Sequence, residues 1–114
     1  MTEADRIRLQ HILDAARAAY GFVRGRSRED LDSDLMLRFA ILKALEIVGE
    51  AARHVSPQGR QACPNLPWPL IVGMRNRLIH GYFDVDTDQV WRTVERDVPE
   101  LISTIEGVLE EEKS

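Results

Sequence analysis

Apolar residues recur at three- and four-residue steps along most of this chain, a spacing that predicts helices rather than strands. Ile7, Leu9, Ile12, Leu13, Ala16, Ala19 and Tyr20 follow it near the start. Thr2-x-x-Asp5 resembles a capping arrangement. A first helix is therefore expected to reach Phe22 or Val23, with Gly21 and Gly25 marking its end. Ser27-Arg28-Glu29-Asp30 begins a polar connection, and Asp32, Ser33 or Asp34 can cap the next helix. That second helix, Leu35 to Val55, is the longest expected. Met36, Phe39, Ala40, Lys43, Ala44, Ile47, Val48, Ala51 and Ala52 trace its faces, and its alanines let a neighbour approach closely. Gly49 in its interior costs about 1 kcal/mol against alanine, which predicts a packing reason for it.

Pro57, Gly59, Pro64, Pro67 and Pro69 punctuate a loop from Ser56 to Pro69. A third helix is expected to start near Trp68-Pro69, with proline in its first turn, and to run to Ile79 or His80, where Gly81 supplies a left-handed stop. Tyr82, Phe83 and Val85 then pack a short turn. Asp86-Thr87-Asp88 caps a further helix carrying Val90, Trp91, Val94 and Val98. Pro99 is expected to break or kink it, and a last helix from Pro99 carries Leu101, Ile102, Ile105, Val108 and Leu109 before a solvated Glu110–Lys113 end. No internal repeat and no strand alternation of convincing length is present. The expected fold is all-α, in a single domain over residues 1–114.

Composition narrows the class without changing that picture. The hydrophobic share is 44% and the charged share 30%, ordinary for a globular protein and against disorder. No apolar run approaches the roughly 18 residues of a membrane span. The acidic start, Met1 to Asp5, lacks the basic and apolar stretches of a signal peptide. Cys63 stands alone, so no internal disulfide can form, and a reducing cytoplasmic location is expected. One cysteine and three scattered histidines make no metal-ligand pattern, and there is no glycine-rich phosphate loop. Neither metal nor cofactor is expected.

Charge is unevenly spread. The net charge of −4 argues against binding nucleic acid through bulk electrostatics. From Ala51 to Phe83, however, there is no acidic residue, while Arg53, Arg60, Arg75 and Arg77 all fall there with His54 and His80. This suggests a confined anion site; the alternative is that these arginines pair with carboxylates from other helices.

Within that stretch, Arg75-Asn76-Arg77-Leu78-Ile79-His80-Gly81-Tyr82 concentrates the candidate chemistry. An arginine can hold a phosphate bidentately and stabilise charge that builds on it. A histidine can take a proton from a ribose 2′-hydroxyl near neutral pH. Asn76 can hydrogen-bond a phosphate oxygen or orient the imidazole, and Arg77 and Arg53 are candidates for further RNA-phosphate contacts. Positions five apart differ by about 140° around a regular helix, so Arg75 and His80 share a site only if the helix ends at His80 or if two chains combine their pairs. In either case the histidine is expected at a helix C-terminus, where the dipole favours its protonated form. Taken alone, an arginine near a helix end is commonly an exposed ion-pair former, a histidine before glycine a cap, and a tyrosine here a packed ring.

Arg75…His80-Gly81-Tyr82 resembles the Arg-x4-His-x-Tyr signature of the HEPN superfamily, specifically its HepT toxin family, also catalogued as DUF86. Ile12-Leu13-Asp14, Ile47 to Ala52, Pro67-Trp68, Ile71 to Asn76, Gly81 to Asp86, Val90-Trp91 and Val98 to Leu101 are similar to that family too, so the resemblance spans nearly the whole chain. It implies an antiparallel bundle of four to five helices, dimeric, with the active site in a cleft between subunits. It implies a ribonuclease in which Arg75 and His80 are the catalytic pair, with Asn76 the polar residue beside them. It further implies the toxin of a type VII-like toxin–antitoxin pair, in which a minimal nucleotidyltransferase antitoxin, MntA, transfers AMP from ATP to Tyr82. The alternative is a non-catalytic nucleotide- or RNA-binding HEPN module, or a scaffold subunit for a nucleotidyltransferase.

Overall fold

Helix α1, Glu3–Val23, lies between two other long helices, and side-chain pairs fix their directions. Asp5 near its start meets Ser56, just past the end of α3, Leu35–Arg53, so α1 and α3 run antiparallel. Arg6 lies 3.7 Å from Glu112, and Arg17 bonds Glu106 at 2.6 Å, which sets α8, Val98–Lys113, antiparallel to α1 as well. The computed structural model describes residues 1–81 and 84–113, and only the backbone of Arg75, Arg77 and residues 79–81. Leu9, Ile12, Leu42, Leu45, Val48 and Ile105 are fully enclosed where these helices meet. No helix among the described residues is long and apolar enough to cross a membrane.

The helix starts follow the cap chemistry. Thr2 accepts from the Asp5 N–H at 3.1 Å, and Asp34 caps α3 by accepting from Leu37 N–H at 3.1 Å. Residues Asp30–Ser33 form a further short helix, α2, inside the expected polar connection. Helix α3 stops at Arg53, two residues before the expected Val55. On α3 the buried face is Leu37, Ile41, Leu42, Leu45 and Val48, while Met36 is 84% exposed on the other side. Gly49 has its packing reason: a Cβ there would stand 3.3 Å from the Ile71 carbonyl oxygen and 3.5 Å from that of Val72.

The expected loop from Ser56 to Pro69 contains a helix, α4, Pro57–Gln61, because Ser56 caps it and Pro57 opens it. Ser56 Oγ accepts from Gly59 N–H at 3.1 Å and donates to Asp5 Oδ2 at 2.5 Å, while Ser56 N–H donates to Asp5 Oδ1 at 2.9 Å. The Asp5 carboxylate is 2% exposed, yet these bonds hold it ionised. The Ser56 backbone N–H above all, then its hydroxyl, keeps the Asp5 pKa below the ordinary carboxylate value, against the burial that would raise it. Gly59 admits the arrangement, since a Cβ there would come within 2.7 Å of the Asp5 carboxyl.

Two expectations for the second half are corrected. The helix begun at Trp68 is interrupted: α5 is Trp68–Val72, Gly73 caps it, and α6 is Met74–Leu78. The chain then leaves helical geometry, and strand β1, Ile79–Gly81, pairs antiparallel with β2, Asp84–Val85, so Gly81 belongs to a strand and not to a helix stop. Nor does Pro99 break the chain. Helix α7, Thr87–Arg92, continues through a π-helical turn, Thr93–Asp97, into α8. The Val98 N–H donates to the Thr93 carbonyl, five residues back. That widened turn absorbs the proline, whose ring would otherwise collide with the carbonyl four residues earlier. The all-α class stands, with this two-stranded ribbon as a minor addition.

Asp5→Asn is expected to lose about 1–3 kcal/mol of stability at neutral pH, because a buried charge-accepting site is replaced by a poorer acceptor. A carboxyl depressed by folding contributes stability above its unfolded value, about 3.9, and loses it as pH falls through the lower folded value. Denaturant melts from pH 7 to pH 2 should show wild type and Asp5→Asn converging at the acid end. Gly49→Val should cost about 1–3 kcal/mol by forcing α3 off the α5 carbonyls, and Gly49→Ala much less, since its helix propensity offsets the tight contact; both are read from urea midpoints.

Candidate functional site

The segment that bears the Arg75–Tyr82 motif is positioned from both ends. Upstream, the Asp5–Ser56–Gly59 contact sets α4, and Trp68 anchors the start of α5. Trp68 is 7% exposed and its Nε1–H donates to the Cys63 carbonyl at 3.1 Å. Arg60 sits 5.4 Å over the Trp68 ring, and its guanidinium donates to the Ala52 carbonyl at 3.3 Å. Downstream, Arg28 binds Asp32 and Asp88, and donates to Thr87 Oγ1 at 2.9 Å, while Thr87 Oγ1 donates to Asp32 at 3.1 Å. This cluster ties α2 to the first turn of α7, directly after β2. Its Asp32 carboxyl is held below the ordinary value by the Arg28 guanidinium first and Thr87 second.

Between these anchors, Met74 and Leu78 are buried one turn apart and fix α6 on the core. Asn76, between them, is exposed to solvent. Arg75 and Arg77 occupy α6 by their backbone, and His80 occupies the middle of β1. Helix and strand thus separate the two expected catalytic positions, and the regular-helix geometry that would splay them by about 140° does not apply. The expectation that His80 stands at a helix C-terminus is corrected: α6 ends at Leu78, two residues before it, and His80 itself belongs to β1. The ribbon is irregular at this point. Ile79 pairs with Val85 and Gly81 with Asp84, so the register shifts across His80. Bulges of this kind re-aim side chains and are common beside active sites. The side chains of Arg75, Arg77 and His80, and all of Tyr82, lie outside the described residues.

The other arginines of the acid-free stretch divide in use. Arg60 is committed to the Trp68 ring and a backbone carbonyl, so it serves the fold, a role that neither charge nor spacing predicts. Ser56-Pro57-x-Gly59 and the aromatic Trp68 were the signals available for it. Arg53 is exposed and lies 3.4 Å from Glu50, whose carboxylate also lies 3.1 Å from His54. An exposed pair of this kind is worth under about 1 kcal/mol, so Arg53 can turn to another anion at little cost. Cys63 is no candidate nucleophile: it is buried, and burial pushes its thiol up to about 11. Among the described residues no group of three or more His, Cys, Asp or Glu is placed to hold a metal ion.

Comparison with known proteins bears on the family of the chain. A family model described as "Ribonuclease HepT-like" matches residues 12–108. The chain is 38% identical over 100 residues to "Putative RNase MJ1380" of Methanocaldococcus jannaschii, covering 88% of this chain and 92% of the relative. It is 37% identical over 105 residues to "Putative RNase TTE0752" of Caldanaerobacter subterraneus subsp. tengcongensis, covering 92% and 94%. It is 38% identical over 93 residues to "Probable ribonuclease HepT" of Thermococcus cleftensis, covering 82% and 84%. No solved structure matches the chain significantly. With the match running from α1 through most of α8, the chain belongs to the HepT-like ribonuclease family of HEPN proteins.

Proposed function

We propose that this chain is a metal-independent endoribonuclease that cuts RNA through its own 2′-hydroxyl, acting as a cytoplasmic homodimer and as the toxin of a toxin–antitoxin pair. The observation that carries the reading is the placement of the motif: α6 ends at Leu78, so Arg75-Asn76 stand on a helix and His80 in the bulged ribbon that follows it, within a segment anchored on both sides. Membership of a ribonuclease family supports the substrate class.

In the proposed reaction His80 accepts the 2′-hydroxyl proton, and the 2′-oxygen attacks the adjacent phosphorus. Arg75 stabilises the added negative charge on the five-coordinate phosphorus, with Asn76 donating to a phosphate oxygen. The bond to the 5′-oxygen breaks, and a protonated histidine of the same or the partner subunit supplies the proton that oxygen takes. The products are a 2′,3′-cyclic phosphate and a 5′-hydroxyl. DNA lacks the nucleophile and is not cut. Arg77 and Arg53 extend the phosphate track. For the antitoxin, a nucleotidyltransferase transfers AMP from ATP to the Tyr82 hydroxyl with release of pyrophosphate. The added phosphodiester charge beside Arg75 then competes with RNA for the same cation.

Purified protein should cleave single-stranded RNA in the presence of a chelator and leave cyclic-phosphate ends; a strict need for added divalent metal overturns the mechanism. His80→Ala is expected to lower kcat by about 10²–10⁴-fold with RNA binding retained. Arg75→Lys should lower it by about 10²-fold or more, because an ammonium cannot reproduce the bidentate fork. Gel-based kinetics on both variants decide whether Arg75 and His80 carry the reaction. Incubation with the nucleotidyltransferase and ATP should add adenylate mass to wild type and none to Tyr82→Phe, and the latter should escape neutralisation. Adenylation of Tyr82→Phe at the wild-type level would remove Tyr82 from the scheme.

A further inference from the structure

An open groove of about 290 Å³ runs between α5 and the start of α8. Leu66, Ile71, Met74 and Leu101 form its apolar floor, and Leu70, 54% exposed, stands at its edge. The rim is acidic. The π turn delivers Asp97 and the first turn of α8 delivers Glu100, three positions later and so on the same side of the helix. Among the described residues no lysine or arginine lines the groove. Both carboxylates are exposed, and neither takes part in an ion pair among the described residues.

Size and charge select the occupant. The volume lies at the bottom of the range for small-molecule pockets, about 300–1,000 Å³, and suits one or two side chains better than a cofactor. A polyanion is disfavoured, because two exposed carboxylates would face its phosphates. An apolar floor beneath an acidic rim complements an apolar anchor flanked by cations, the pattern by which amphipathic segments seat in grooves.

We propose that this groove docks a segment of a partner protein presenting an apolar side chain flanked by lysine or arginine. The anchor fills the floor between Ile71 and Leu101, and the cations meet Asp97 and Glu100. Ile71 and Met74 bracket the Gly73 joint between α5 and α6, and Met74 directly precedes Arg75. A segment seated there touches the joint from which the motif departs. The inference does not rest on RNA cleavage, since its readout is binding.

The test titrates the ¹⁵N-labelled full chain with a short amidated peptide of alternating lysine and leucine. Saturable amide shifts are expected at Leu70, Met74 and Leu101. The Asp97→Asn/Glu100→Gln double variant should weaken binding by about tenfold or more, as should replacing the peptide's leucines with serine. RNA cleavage by the double variant should be unchanged. Shifts scattered over the surface, affinity indifferent to the double variant, or no saturation at millimolar peptide would overturn the proposal. So would the same shifts on titration with a short single-stranded RNA. Leu70→Asp, at an exposed position, separates the remaining possibility: folded protein whose sedimentation changes from a larger species to monomer without peptide would make this face an interface between copies and sink the partner reading.

Discussion

The heading of the chain just after α3 depends on one buried carboxylate. Asp5 belongs to the first turn of α1, and it receives two hydrogen bonds from Ser56, the residue that opens α4. The contact joins positions 51 residues apart and gives the chain after α3 its heading. Burying an acid is costly unless donors replace water, and here the backbone N–H and hydroxyl of a single serine do so while that hydroxyl also caps a helix. Gly59 lets the two helices come this near. Remove any of the three groups and α4 has no fixed start, and with it the Arg60–Trp68 stack that leads into α5 loses its base.

A second close approach acts further along. Gly49 brings α3 against the last carbonyls of α5, just before Gly73 ends that helix. The motif segment therefore departs from a point where backbone meets backbone, with no intervening side chain to repack. Its far end is tied by Arg28 to Asp32 and Asp88. A candidate site built on short elements, α6 and a two-stranded ribbon, draws definition from these flanking contacts, since elements this short are marginal alone.

The bundle was legible because its causes are local. Thr2, Asp34 and Asp86 cap helix starts through chemistry that needs only neighbouring residues, and the sequence shows it as Thr2-x-x-Asp5, as Asp32, Ser33 or Asp34, and as Asp86-Thr87-Asp88. Gly49 announced a close contact by its cost, without saying with what. The departures have long-range or subtle causes. Helix α4 rests on Ser56 as a cap that also needs Asp5, far away in sequence. The split at Gly73 and the exit at Leu78 depend on the core capturing Met74 and Leu78, after which the chain pairs with Asp84–Val85; strands of two and three residues leave no alternation to read. Regular helix geometry makes Pro99 a breaker, whereas a wider turn before it removes the conflict. At the site, residue types and spacing indicated Arg75, Asn76 and His80, but not that a bulge would fall on the histidine.

The wide turn at Thr93–Asp97 also acts as a phase adjuster. Val90, Val94, Val98, Leu101 and Ile105 all reach the interior, and the wide turn falls in the middle of that row. Dropping one residue from this stretch would restore ordinary winding, yet it would swing the whole of α8 by about 100° and draw it back about 1.5 Å. Leu101 and Ile105 would leave their seats, and Arg17 would no longer find Glu106. Natural length variation in this protein should thus avoid residues 93–97 and collect where no long helix has to keep in step.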